Sequence, residues 1–367
     1  MKRKLIYADN ASTTRLSEQA FQAMSPFLLN NYANPSQPYS FSRVAKKALK
    51  EARATIAECI GAKSPEEIVF TSGGTESDNW VIKSFIYKNT NIFTSSIEHH
   101  AILNTCNGYD KVIIIPVTAE GLVVPSVLEK YIGEDALVSI MMANNEIGTI
   151  QPIQELAQIA HSHGCLFHTD AIQAVGHIEV DVQELSVDFL SASAHKFNGP
   201  KGIGFLYIRN GIKLPQFIKG GSQEMGFRAG TENVASIVGM ATALKENIID
   251  IKKTTSYLKR LEQLLLKELI EAGVHFHRNG INQIPGNINI SFKDLNGESI
   301  LHRLDLQGIC VSTGSACDGK FDQISHVLNA INLKEEYAIG TIRISLGKEN
   351  TEEDVREIVN ALIKVMQ

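Results

Sequence analysis

Between about residues 66 and 208 the chain alternates short, almost wholly apolar runs with longer segments of helical periodicity. The runs at 68–71, 91–95, 112–116, 137–142, 165–169, 189–193 and 203–208 have strand length. They lack the polar alternation of a half-exposed strand, which predicts a mostly parallel seven-stranded sheet buried on both faces. Helical spacing marks 41–60, closed by Gly61, and 154–163, closed by Gly164, because glycine takes the left-handed cap conformation at little cost. This is the pattern of a doubly wound α/β domain.

A helical stretch at 233–272, with Gly273 behind it, is too long for one compact element and is expected to link two domains. After it the order changes: a strand at 287–292, a helix at 298–305, a strand near 309–312 and a strand at 341–346. A last helix is entered at Thr351, whose spacing to Asp354 is a capping-box variant. The expected division is a large α/β domain over 13–257 and a smaller α+β domain built from 1–12 and 258–367.

Composition narrows the classes. The chain has 367 residues, 44% of them hydrophobic and 20% charged, which is ordinary for a soluble globular protein. A net charge of −5 provides no basic field, so direct nucleic-acid binding is not expected. No apolar run approaches the roughly 18 residues of a membrane span. Asp9 and Asn10 interrupt the N-terminal segment before any signal core forms, so the expected location is cytoplasmic. Five cysteines without a Cys-x-x-Cys pair argue against a disulfide framework and a zinc ribbon, and no metal site is expected. Cys59, Cys106, Cys165 and Cys310 read as packing residues. Cys317 differs, because Ser312-Thr313-Gly314-Ser315-Ala316-Cys317-Asp318-Gly319-Lys320 is polar and reads as an exposed loop.

The candidate chemistry gathers at the ends of the apolar runs. Lys196 follows one of them in Ser193-Ala194-His195-Lys196, and a lysine walled in by small residues can lose its proton and form a Schiff base. Asp170 ends another, where a carboxylate could meet a pyridinium nitrogen. Thr71-Ser72-Gly73-Gly74-Thr75 follows a strand and opens a helix, which makes an anion cradle without the lysine of a nucleotide-binding loop. His99 is either a helix-entry residue or a ring that stacks on a flat cofactor. Asn144-Asn145-Glu146 sits where an open α/β sheet collects its ligand. Arg343 could grip a carboxylate in bidentate fashion, or could be an exposed strand arginine. His161 and His163 suggest no site, since positions two apart on a helix face apart.

With these residues in order, the chain resembles the cysteine desulfurases, members of the class V aminotransferase group within the fold-type I pyridoxal 5′-phosphate (PLP) enzymes. The markers run nearly end to end: Ala8–Thr14, Asn34-Pro35-Ser36, Thr71–Asn79, Glu98-His99, Asn144–Gly148, His168–Gln173, Ser193–Gly204, Arg228–Thr231, Ser312–Cys317 and Arg343–Gly347. The resemblance implies that Lys196 carries PLP as a Schiff base, Asp170 pairs with the ring nitrogen, Gln173 bonds its phenolic oxygen and His99 stacks on the ring. It implies a phosphate held by Gly74, Thr75, Ser193 and His195, with Thr231 reaching the phosphate of a partner subunit in a homodimer with shared active sites. Asn145, Arg343 and Asn34 are the substrate residues it suggests, and Cys317 the nucleophile that takes sulfur from L-cysteine as a persulfide, leaving L-alanine. A sulfur-acceptor protein, serving iron–sulfur cluster assembly or tRNA thiolation, would then collect it.

About five residues on either side of Cys317 would give it a reach of roughly 15 Å, enough for both cofactor and acceptor. Asp318-Gly319-Lys320 departs from the usual Ser or Thr after the cysteine, and Ala194 stands where many relatives have glycine. Alternatives are a selenocysteine lyase, another class V aminotransferase-like enzyme, or a non-catalytic scaffold that would need none of Lys196, Asp170, His99 and Cys317. A nucleotide-binding dehydrogenase fits the alternation but lacks the Gly-x-Gly-x-x-Gly turn.

Overall fold

The computed structural model describes residues 4–313 and 324–366. Strand β1 (Ile6–Tyr7) leads into helices α1 (Glu18–Leu29) and α2 (Arg43–Cys59), and the alternation begins at β2 (Ile68–Thr71). Then follow α3 (Gly74–Tyr87), β3 (Ile92–Ser95), α4 (His100–Cys106), β4 (Val112–Ile115) and α5 (Pro125–Tyr131). β5 (Leu137–Ser139), α6 (Ile153–Ser162), β6 (Leu166–Asp170), β7 (Phe189–Ser193) and β8 (Gly204–Ile208) complete the unit. These strands form one seven-stranded sheet in the order β2-β8-β7-β6-β5-β3-β4. β8 runs antiparallel to both its neighbours, and the pairs from β7 across to β4 are parallel.

The absence of polar alternation has a direct cause. Ile68 and Phe70 of β2 enter one apolar core while Val69 enters another on the opposite face. β8 does the same, with Phe205 and Tyr207 on one side and Leu206 and Ile208 on the other. Trp80, Val81 and Phe85 of α3 and Ile102 of α4 cover one face; Ile56 of α2 and Leu156 of α6 cover the other. Both faces are dry, so both sets of side chains must be apolar.

The helical stretch expected at 233–272 is two helices, α7 (Val234–Ile249) and α8 (Ile251–Glu271), with the break at Asp250. Ile237, Met240 and Leu244 of α7 pack into the sheet core, whereas Leu258, Leu261, Leu265 and Leu269 of α8 pack into a second core. The break lets each helix turn its own apolar stripe to its own core. Beyond it lie β9 (His277–Arg278), β10 (Asn287–Ser291), α9 (Gly297–Asp305), β11 (Ile309–Cys310), α10 (His326–Ala330), α11 (Glu335–Ala338), β12 (Thr341–Ser345) and α12 (Glu352–Met366). β12-β10-β9 is an antiparallel sheet, and β1 pairs in parallel with β11, so the N-terminal residues Ile6 and Ala8 belong to this second core. Thr351 caps α12 as its spacing predicts: its hydroxyl accepts from Asp354 N–H at 3.2 Å, and the Asp354 carboxylate accepts from Thr351 N–H at 2.9 Å. Ile97, Met141 and Ile147 meet Val327, Leu328 and Ile331 in a small apolar seam between the two cores. Among the described residues no helix is long and apolar enough to cross a membrane.

Candidate active site

A cavity of about 570 Å³ opens where β2, β6 and β7 end, and it gathers most of the predicted residues: Lys196, Asp170, Gln173, His99, Gly74, Thr75, Ser193, His195, Asn145 and Arg343. At one end lies the anion cradle. Gly73 has φ +153°, a backbone region L side chains rarely adopt, and it caps α3 with no side-chain hydrogen bond. The first-turn N–H groups of α3 are therefore not capped by their own chain and suit an anionic oxygen. Glu76 shapes this turn: its carboxylate accepts from Ser72 N–H at 2.8 Å and is held by the Arg228 guanidinium at 3.0 Å.

Lys196 lies in a single 3₁₀ turn, Ala194–Lys196, directly after β7. Its Nζ donates to the Ala11 carbonyl at 2.6 Å and the Ser12 carbonyl at 2.7 Å. Gln173 Nε2 donates to the same Ala11 carbonyl at 3.0 Å, so one N-terminal peptide aligns both side chains. Asp170 is buried at the end of β6, and one carboxyl oxygen accepts from Ile172 N–H at 2.9 Å. Burial pushes the Asp170 carboxyl up to about 6, against the opposing effects of that hydrogen bond and of the Lys196 charge.

The helix-entry reading of His99 holds. It is the N-cap of α4, accepting from Ala101 N–H at Nδ1 (3.1 Å), and it also lines the cavity. Burial first, and then the Lys196 charge, push His99 down to about 4, so the ring is neutral with its proton on Nε2. Burial and Lys196 likewise push His195 down to about 4.

Arg343 is not an exposed strand arginine; it is 5% exposed on β12. One guanidinium nitrogen pairs with Asp9 at 2.7 Å, another donates to the Asn145 carbonyl at 2.9 Å, and Nε is buried without a partner. Asp9 carried no functional reading of its own, yet it lines the cavity and orients this arginine. Ser312, bridged to Arg343 in the second core, reaches the cavity as well.

Two predicted residues are elsewhere. Asn34 does not join the substrate residues in this chain. It lies in the α1–α2 connection, accepting from Ser36 N–H at 2.9 Å, and lines a separate groove of about 210 Å³ against the start of α7. Thr231, exposed, lines the same groove. Cys317 lies outside the described residues.

The donor set fits PLP. A glycine-lined helix start with Ser193 and His195 beside it suits a phosphate, a buried carboxylate suits a pyridinium nitrogen, and a lysine between them suits the aldehyde. The family model described as Aminotransferase class-V matches residues 6–358. Among curated relatives, "Cysteine desulfurase IscS" of Dictyoglomus turgidum is 48% identical over 100% of this chain and 95% of its own length. A protein of the same name from Methanosarcina thermophila is 43% identical over 99% and 92%. Among solved structures, a "NIFS-LIKE PROTEIN" superposes with a TM-score of 0.92 at 36% identity over 99% of each chain. "SspA in complex with cysteine" superposes with a TM-score of 0.83 at 36% identity, covering 94% of this chain and 100% of that one.

Proposed function

Because the chain belongs to the class-V aminotransferase family and is a PLP-dependent cysteine desulfurase, we propose that its cavity converts L-cysteine to L-alanine and leaves the sulfur on Cys317. PLP, when bound, supplies an electron sink that makes the Cα proton of an attached amino acid removable. The α3 N-terminus, Ser193 and His195 would hold its phosphate, Asp170 its ring nitrogen, Gln173 its phenolic oxygen and Lys196 its aldehyde carbon, with His99 against the ring face.

Arg343, already aligned by Asp9, binds the substrate carboxylate, and Asn145 stands beside it. Lys196 Nζ, once released, takes the Cα proton as general base. The Cys317 thiolate attacks the substrate sulfur and the C–S bond breaks. Its electron pair stays with the three-carbon fragment, which is protonated and leaves as alanine. The Cys317 side chain becomes S–SH, so one sulfur atom has moved and no outside oxidant is needed. A sulfur-acceptor protein then collects it, and the IscS name of the relatives favours iron–sulfur cluster assembly. Thr231, exposed and away from Lys196, is available to the phosphate of a second subunit, which supports a homodimer with shared sites.

The observation that carries this reading is the convergence of Lys196, Asp170 and an uncapped helix start on one cavity. Mass spectrometry of the holoenzyme after cysteine treatment is expected to find one added sulfur atom on Cys317. If Cys317→Ser forms alanine as fast as the parent, the role given to Cys317 is wrong.

A further inference from the structure

Behind Asp170 the protein buries more ionisable groups than the reaction uses. His168 precedes Asp170 by two positions on β6, so both project from one face of the sheet. The register sets Ser191 of β7 opposite Asp170 and Ser139 of β5 opposite His168. His168 is fully buried, with Nδ1 2.9 Å from the Ser139 hydroxyl and Nε2 3.0 Å from that of Ser191. Helix α3 covers this face, and one turn after the cradle it presents Asp78, also fully buried, with a carboxyl oxygen 3.7 Å from His168 Nε2. Neither Asp78 oxygen has a donor at hydrogen-bonding geometry, although the Ser191 hydroxyl faces it. Glu98, after β3, is fully buried too. One of its oxygens accepts from the Ser95 hydroxyl and from Met141 N–H at 2.9 Å, and the other has no partner.

A carboxylate without water must have a cation or several donors beside it. The base nearest Asp78 is His168, which burial pushes down to about 3 and so keeps neutral. The ammonium of Lys196 is bonded to the Ala11 and Ser12 carbonyls and acts on Asp170. The charges of Asp170 and Glu98 both oppose ionisation of Asp78, and that of Asp170 opposes Glu98.

We propose that Asp78 and Glu98 are kept as neutral acids, so that Asp170 carries the one negative charge of this buried group, and that Asp78 is a positioning residue for it. Burial pushes Asp78 well above the carboxylate range and Glu98 up to about 8, in the same direction. As a neutral acid, Asp78 O–H donates to Ser191, the Ser191 hydroxyl donates to His168 Nε2, and His168 Nδ1–H donates to Ser139. This single-direction chain sets the His168 tautomer and ties α3, which opens at the phosphate cradle, to the strands that end at Asp170 and Lys196. An ionised Asp78 would instead draw a proton onto Asp170 and cancel the charge meant for the ring nitrogen.

The proposal rests on the reading of Asp170 given above, and the two can be tested apart. Infrared spectroscopy of the apoprotein at neutral pH, with carbon-13 in aspartate or glutamate carboxyls, reports protonation without coenzyme. The expected spectrum contains a protonated aspartate band lost in Asp78→Asn and a protonated glutamate band lost in Glu98→Gln. Asparagine copies the neutral acid in shape and as a donor, so the absorbance-against-pH midpoint of coenzyme bound to Asp78→Asn should move by less than about 0.3 pH units. A wild-type spectrum with ionised carboxylates only, or a midpoint moved by about one unit or more, overturns the proposal. Asp170→Asn addresses the underlying reading: an unchanged coenzyme titration there would refute the ring-nitrogen role and leave the infrared result standing.

Discussion

Gly204→Ala is expected to damage the anion cradle while leaving the fold in place. Gly204 opens β8, paired with Thr71 on one side and Ser193 on the other, so it lies between the two strand ends that carry the cradle and the Lys196 turn. A Cβ there would lie 2.4 Å from the Ala192 carbonyl oxygen and 2.8 Å from Gly73 Cα. Both are backbone atoms, so no side-chain rotation relieves the clash. To reach ordinary contact near 3.4 Å, Gly73 must retreat by about half an ångström. That moves the N–H groups of the cradle away from a bound phosphate. A hydrogen bond to a charged group contributes about 1.5–3 kcal/mol, so losing one weakens coenzyme binding by roughly 10- to 100-fold. Titration of apoprotein with PLP, followed by absorbance, measures this directly. Gly211→Ala is the control: Gly211 has φ +91° and no atom within 4 Å of an added Cβ. It should cost about 1–2 kcal/mol of stability through backbone strain alone. Coenzyme affinity within twofold of wild type in Gly204→Ala would refute the close-approach argument.

Three other outcomes are expected. Arg53→Met should lower stability by about 3–5 kcal/mol in urea unfolding, because it strips a buried Glu224 of its two guanidinium contacts, and the double variant Arg53→Met/Glu224→Gln should recover part of that loss. A loss below about 1 kcal/mol would mean that Glu224 is solvated after all. Glu98 has a folded value of about 8 against an ordinary 4.5, so its stabilising contribution is complete below 4.5 and is lost as pH rises from there through about 8, the interval in which the unfolded chain is ionised and the folded one resists. The stability of Glu98→Gln relative to wild type should therefore grow between pH 5 and 8.5 in unfolding midpoints, and a constant gap would contradict the buried neutral acid. Arg343→Ala should raise KM for cysteine by roughly 10- to 100-fold with an unaltered coenzyme spectrum, and an unchanged KM would remove Arg343 from the carboxylate site.

What could be read from the sequence was local. Strands buried on both faces announce themselves by continuous apolar runs, and a glycine pair between strand and helix announces the cradle, so Lys196, Asp170, His99 and Gly74 were legible as strand-end chemistry. What was hidden depends on partners far away in the chain. Asp9 and Arg343 are 334 positions apart and Glu76 and Arg228 are 152, so each residue alone reads as an ordinary solvated charge. Asp78 reads as a polar position on an amphipathic helix, because only the sheet laid against α3 makes it a buried acid. The reversed direction of β8 leaves no trace either, since a buried run looks alike in both directions. Asn34 is a family marker of another kind: within one chain the α1–α2 connection carries it away from the Lys196 cavity and into the groove that Thr231 also lines.

The division of labour in the cavity follows from which core each side chain belongs to. Lys196, Asp170, Gln173 and the cradle stand on elements of the sheet core, although the Ala11 peptide that aligns Lys196 and Gln173 is itself held by the Ser345 hydroxyl of β12. Arg343, Asp9 and Ser312 enter from the other core, held together by the β10–β12 ladder and the Asp9–Ser345 bridge. On the reading proposed above, the group that grips the substrate carboxylate and the base that takes its Cα proton therefore stand on different cores. The seam between them is small, with Ile97, Met141 and Ile147 against Val327, Leu328 and Ile331. It lies beside His99 and is pinned by the His326 ring on the Glu98 carbonyl at 3.0 Å. His326 opens α10 and stands nine positions after Cys317 in the sequence. On the reading proposed above, loosening this seam should change KM for cysteine, because Arg343 and Lys196 stand on different cores.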